Sequence, residues 1–191
     1  AKGFKPDFLR SLNWQDAVYG RDNTSSIRIP YPDENGADEQ IRYRVGLDKG
    51  EHRFLWEDGA KPRPLGLNRL TYLREQDYVV YVEGETDYAT GTVHGYPFQG
   101  IPGPTNWQPE WAKHYQSLST HYIWKEPGRG GEVFVARLTE SFPNLRVIEA
   151  PPGAKDPTEL AFQTGPDGFT GFFDELLDEA DQAQVVADKV S

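Results

Sequence analysis

Apolar and polar positions follow two different periods along the chain. In the first 74 residues they alternate, through Ile27-Arg28-Ile29-Pro30-Tyr31, Ile41-Arg42-Tyr43-Arg44-Val45 and His52-Arg53-Phe54-Leu55-Trp56. Alternation is the period of a half-buried strand. Asp33-Glu34-Asn35-Gly36 and Asp48-Lys49-Gly50 supply turn chemistry between these runs. A three-stranded antiparallel meander is therefore predicted, preceded by a short helix over Pro6–Leu12. Arg42 and Arg44, two apart, share one sheet face, and Arg28 joins them if the register permits. That face would carry a basic stripe, with Tyr43 on the opposite face and packed inward.

Beyond residue 75 the pattern becomes continuous. Tyr78-Val79-Val80-Tyr81-Val82, His121-Tyr122-Ile123-Trp124 and Leu145-Arg146-Val147-Ile148 read as strands covered on both faces. Helical candidates separate or follow them at Asp87–His94, Pro109–Gln116 and Glu132–Ser141. Strands alternating with helices imply a parallel sheet with right-handed crossovers, hence an α/β fold class. A last helix is predicted over Gly171–Lys189. The chain thus divides into a β-rich part (1–74), an α/β part (75–170) and an acidic helical tail (171–191).

Composition narrows the function. The 191 residues contain neither cysteine nor methionine, which removes disulfides and thiolate zinc sites. No run approaches a membrane span, and no signal segment is evident. The missing start methionine leads us to expect a segment of a longer, intracellular protein. The net charge of −10 argues at first against a nucleic-acid partner, since phosphates attract Lys and Arg. The charge is graded, however. Residues 1–74 hold 13 basic against 11 acidic side chains, residues 75–173 hold 6 against 13, and residues 174–191 hold 1 against 6. A basic first part beside an acidic middle suits phosphate binding next to a carboxylate metal site; chance clustering on solvated surfaces is the bland alternative.

In parallel α/β sheets, ligands bind beyond the carboxyl ends of the strands. Acidic and glycine-rich segments follow all three apolar runs: Glu83-Gly84-Glu85-Thr86-Asp87, Lys125-Glu126-Pro127-Gly128-Arg129-Gly130-Gly131-Glu132, and Glu149 through Lys155-Asp156-Pro157. Carboxylates converging without Cys or His favour a hard cation, Mg²⁺ or Mn²⁺. Each residue also has a plainer role. Glu85 reads as a solvated carboxylate at a helix start, and Asp87 as an N-cap. Lys125 and Arg129 suit phosphate or simple exposure, His94, His114 and His121 read as structural, and Trp107, Trp111 and Trp124 as core.

Val82-Glu83-Gly84-Glu85-Thr86-Asp87, then Gly95-Tyr96-Pro97 and Gly100-Ile101-Pro102-Gly103, an apolar strand ending in an acidic glycine-rich turn, and Lys155-Asp156-Pro157 together resemble the Toprim domain. More closely, they resemble the primase-like Toprim proteins of phages, plasmids and integrated elements, which are similar to the bacterial primase catalytic core. The likeness spans about residues 78–160, and the Arg-rich meander resembles the small subdomain that precedes Toprim in such primases. A lone Glu-Gly-x-x-Asp is a weak signal, but the ordered series is specific.

The resemblance implies a metal-ligating or acid/base role for Glu83, a metal role for Asp87, the first acidic position of Asp-x-Asp for Glu126, and the last signature aspartate for Asp156. It implies template-directed, metal-dependent RNA primer synthesis on single-stranded DNA from nucleoside triphosphates, in company with a replicative helicase. Arg42 and Arg44 would track the strand, and Lys125, Arg129 and Lys155 would hold nucleotide phosphates. One position departs from the pattern: Gly128 stands where the second acid of Asp-x-Asp is expected. The site would then hold one metal, or be completed by Glu132 or Glu85, or serve binding without chemistry. Alternatives are accordingly a degenerate Toprim module that binds single-stranded DNA or nucleotide, and a Toprim nuclease or topoisomerase.

Overall fold

The computed structural model describes residues 3–37, 39–46 and 53–190. The predicted Asp48-Lys49-Gly50 turn and His52 lie outside the described residues. Helix α1 (Pro6–Ser11) leads into an antiparallel sheet of β1 (Gln15–Tyr19), β2 (Thr24–Pro32), β3 (Glu39–Arg44) and β4 (Phe54–Trp56), in the order β1-β2-β3-β4. The predicted strands and their order are found. The β2–β3 turn closes as the sequence suggests, with Asp33 Oδ1 accepting the Asn35 and Ala37 amides at 2.9 and 3.0 Å. Strand β1 was not foreseen. It is a solvated edge strand, with Val18 61% exposed, so no apolar alternation marks it.

Register corrects the expected basic stripe. Ile29 pairs with Arg42 and Ile27 with Arg44, whereas Arg28 pairs with Tyr43. Directly paired residues share a face, so Arg42 and Arg44 lie on the face of buried Ile29 and Tyr31. Arg28 lies on the other face, held by Glu39 at 3.0 Å. Tyr43 is turned outward as well, against Tyr19 and Glu57.

Leu70–Gln76 forms α2, followed by a parallel sheet of β5 (Tyr78–Glu83), β6 (Phe98–Ile101), β7 (Thr120–Lys125) and β8 (Arg146–Glu149), ordered β6-β5-β7-β8. Helices α3 (Glu85–Val93), α4 (Arg129–Ser141) and α5 (Pro157–Val190), with a 3₁₀ turn at Pro109–His114, flank it. The α/β class expected from the pattern is thus present. Strand β6 escaped notice because Phe98-Gln99-Gly100-Ile101 is short and interrupted by a polar residue and a glycine. Gln99 is nevertheless fully buried and satisfied, bonding Gly66, Phe98 and Tyr115.

Both faces of the parallel sheet are covered, which explains its continuous apolar runs. Val79, Tyr81 and Ile123 pack with α2, α4 and the 3₁₀ turn. Val80, Val82 and Trp124 face α5 and, through Ile29 and Tyr31, the antiparallel sheet. Trp107, Trp111 and Trp124 are buried as expected. Helix α5 starts well before the predicted Gly171 and breaks at Gly165, whose φ is 72°. Its buried Phe169, Phe173, Leu176 and Ala180 form a stripe of helical spacing. Tyr96 donates to Asp174 at 2.7 Å, while Tyr122 and Arg146 each reach Asp181 at 2.6 Å.

Candidate metal centre

Parallel pairing brings the carboxyl ends of β5, β7 and β8 to one edge, and three turns deliver carboxylates there. Glu83 ends β5. Gly84, at φ 82° and ψ −177°, turns the chain into α3, whose first turn carries Glu85 and Asp87. Lys125 ends β7, and Glu126 precedes Gly128, which caps α4 at φ 92° and ψ −173°. A Cβ at Gly131 would lie 2.0 Å from the Glu126 carbonyl oxygen, so only glycine lets α4 pack against that segment. Asp156 stands ahead of Pro157, the first residue of α5. Its Oδ1 accepts the Glu159 amide at 2.7 Å, while Glu159 Oε2 accepts the Lys155 amide at 3.1 Å. This reciprocal arrangement is close to a capping box.

Oxygens of Asp87, Glu126 and Asp156 lie within 4.8 Å of one another. Asp87 and Asp156 are buried. Glu83 is coupled to the group: burial, then the charge of Glu126, push its carboxyl up to about 7 against the pull of Lys155. Its Oε1 is buried without a hydrogen-bond partner. Asp87 Oδ1 is engaged by the Thr158 hydroxyl at 2.6 Å and amide at 3.2 Å. Lys155 Nζ sits 2.7 Å from Asp156 Oδ2 and 4.0 Å from Glu126 Oε2.

Two like charges 4.8 Å apart repel by about 3 kcal/mol at an effective dielectric constant near 20. One ammonium cannot offset four carboxylates, so ionising all of them calls for further positive charge. The donor set is all oxygen, includes an orphaned buried oxygen, and contains no His or Cys. Such a set fits a hard divalent cation at the oxygens of Asp87, Glu126 and Asp156, with the Glu83 carboxyl beside them.

The remaining predicted residues are dispersed. Lys125 is drawn to Glu149 at 2.8 Å, on the β8 side. Arg129 is exposed at the start of α4. Arg44 donates to the Gly46 carbonyl and lies over Phe54, close enough to Arg53 for burial and that second guanidinium to lower its pKa. Arg42 is turned inward with its side chain 14% exposed, so it is not on a solvent-facing track. Glu132 is exposed, and Glu85 is only 2% exposed, bound by Tyr31 and Arg42; among the described residues neither joins the acidic group. The solvated reading of Glu85 is overturned, because the antiparallel sheet covers the start of α3. His94, His114 and His121 contact Phe169, Glu34 and Phe142 respectively, in structural settings.

Sequence reasoning missed Tyr31 and Thr158. The Asp-Pro-Thr-Glu order at 156–159 is a legible helix start, but nothing local announces that Thr158 meets Asp87, 71 residues earlier.

No protein-family model matches the chain. The Gene 57 protein of Mycobacterium phage D29 is 31% identical over 146 residues, which cover 74% of this chain and 93% of that protein. Among solved structures, the zinc-binding and RNA polymerase domains of the Aquifex aeolicus primase superpose with a TM-score of 0.75 at 14% identity, over 93% of this chain and 53% of that one. The chain therefore spans about half of that primase structure. A chain of the bacteriophage T7 complex of lagging-strand DNA polymerase with gp4 primase domains, bound to an RNA/DNA hybrid and dTTP, gives 0.66 at 18% identity, over 89% and 86%. The fold is that of primase catalytic cores. Among the described residues no helix is long and apolar enough to cross a membrane.

Proposed function

The chain belongs to the family of the Gene 57 protein of Mycobacterium phage D29, and with its primase-core fold as a second premise we propose that it is the Toprim-type catalytic core of a phage or mobile-element DNA primase. Its reaction is metal-dependent synthesis of RNA primers on single-stranded DNA from nucleoside triphosphates, inside the cell and in company with a replicative helicase. In this reading residues 1–74 form the template-side subdomain and 75–170 the Toprim domain, against which the rest of α5 packs through Phe173, Leu176 and Ala180. The observation that carries it is the meeting of Asp87, Glu126 and Asp156 within 4.8 Å, beside the orphaned buried oxygen of Glu83.

Glu83, Asp87, Glu126 and Asp156 hold Mg²⁺ or Mn²⁺, which when bound neutralises phosphate charge developing during transfer. Thr158 fixes Oδ1 of Asp87 through its hydroxyl and amide. Asp156 is fixed by the α5 amide that it caps. Lys155, paired with Asp156 at 2.7 Å, would be available to a substrate phosphate if a cation took over that carboxylate. Arg129 and Lys125, at the edges of the turn that carries Glu126, bind further phosphates, and Arg44 contacts the template strand beside exposed Arg53.

Gly128 favours a second reading, a Toprim module that binds single-stranded DNA or nucleotide without chemistry, because position 128 offers no side-chain ligand. Labelled single-stranded DNA incubated with ribonucleotides and Mn²⁺ separates the readings. Template-dependent oligoribonucleotides that vanish in Glu83→Gln support primer synthesis. Binding alone supports the module, and shortened DNA supports a nuclease.

A further inference from the structure

Tyr31 and Arg42 approach the candidate centre from the other sheet. The Tyr31 hydroxyl donates to Glu85 Oε1 at 2.7 Å, and Arg42 Nη1 donates to the same oxygen at 2.8 Å. Glu85 lies between Glu83 and Asp87 in sequence and opens α3. Tyr31 and Glu85 are almost fully buried, and burial followed by the Glu85 charge raises the Tyr31 pKa well above its ordinary value, so the hydroxyl remains a donor.

The turn that this clamp grips is also held at Asp87 by Thr158. Gly84 bonds its amide to the Ile101 carbonyl at 2.8 Å, but a Cβ placed on it would meet nothing within 4 Å. Glycine at φ 82° also gives the turn conformational freedom. What fixes Glu85 therefore helps to orient Glu83 and, together with the Thr158 contacts, Asp87. Burying the pair also carries a desolvation cost. Arg42 Nε is buried and unpartnered while the guanidinium lies over Phe54 and Trp56 at 4.9 and 5.3 Å. Apolar replacements of buried ion pairs are often as stable as the pair, so stability alone does not account for it.

We infer that Tyr31 and Arg42 are positioning residues that act through Glu85 to set Glu83 and Asp87 for cation binding. The inference rests on the metal-centre reading above. It makes the antiparallel sheet part of the centre's geometry although it supplies no ligand.

Electrostatics and positioning predict opposite signs. Arg42→Met removes the positive charge paired with Glu85, which through space alone tightens Mn²⁺ binding. Loss of positioning weakens it, by about tenfold for groups that orient ligands. Tyr31→Phe changes no charge, preserves shape, and serves if Arg42→Met does not fold. Free Mn²⁺ is followed by electron paramagnetic resonance, and amide hydrogen exchange of residues 83–90 is measured without metal, with Arg28→Met as a control. Weaker Mn²⁺ binding in both variants, with faster exchange confined to that turn, is the expected result. Unchanged or tighter binding in both overturns the inference. If the unsubstituted protein binds no Mn²⁺, the metal-centre reading fails, and exchange decides alone: faster exchange in residues 83–90 upholds the clamp, unchanged exchange overturns it.

Discussion

Gly84 and Gly128 share one backbone conformation, φ 82°, ψ −177° and φ 92°, ψ −173°, each joining a strand of the parallel sheet to the helix that follows it. This region of backbone space is essentially restricted to glycine. The two turns aim Glu83 and Glu126 at the same space, so the glycine that breaks the Asp-x-Asp pattern is also the residue that its turn requires.

Restoring an acid at Gly128 should therefore cost stability. A Cβ there meets nothing within 4 Å, so the penalty comes from the backbone alone, about 1–3 kcal/mol. Gly128→Asp and Gly128→Ala are expected to lower Tm to a similar extent, by roughly 2–4 °C per kcal/mol for a chain of this size. A melt in which Gly128→Asp is as stable as the parent would show that the turn tolerates a side chain.

The Glu83 carboxyl, raised to about 7 from an ordinary 4.5 mainly by burial, sets a direction for pH. Between these values the folded protein holds a proton that the unfolded chain has released. Its contribution to stability therefore falls as pH rises through that window and is level above it. Glu83→Gln should flatten this part of the Tm profile. A divalent cation at about 100 times its Kd should add about 2.7 kcal/mol near pH 8, a rise of roughly 5–10 °C, and less near pH 5, where Glu83 is protonated. Glu83→Gln should lose most of that rise.

His121 acts at the acid end with the opposite sign. Burial lowers its pKa to about 4, while its ring stacks on Phe142 at 4.0 Å and bonds the Tyr81 hydroxyl. Its contribution is complete above the ordinary histidine value of 6.5 and is lost as pH falls toward 4. His121→Gln should be less stable at neutral pH but should lose less on acidification, a difference that melts across the range measure directly.

Helix α5 is part of the core. Phe173 is fully buried, with Trp124, Phe169, Phe98 and Tyr96 around its ring. Phe173→Ala should cost about 3–5 kcal/mol, observed as a lower denaturation midpoint with the slope preserved. A cost below about 1 kcal/mol, the scale of an exposed substitution, would contradict this packing.

The strands of both sheets were legible because each carries a period that its burial requires. Tyr78–Val82 is continuous because both faces are covered, and Ile27–Tyr31 alternates because one is. Edge strand β1 and interrupted β6 lack those periods. The acidic turns were legible because glycines and carboxylates stand directly after apolar strands. What local sequence could not show is long-range pairing. Tyr31 meets Glu85 across 54 positions, and a register that sets Ile29 opposite Arg42 turns an apparent surface arginine toward the core.

Crystals soaked in Mn²⁺ test the central claim most directly, through anomalous scattering at the ends of β5, β7 and β8. A peak among the carboxylate oxygens of Glu83, Asp87, Glu126 and Asp156, with Lys155 withdrawn from Asp156, is the predicted result. Absence of any peak at saturating Mn²⁺, with Lys155 still against Asp156, would contradict it.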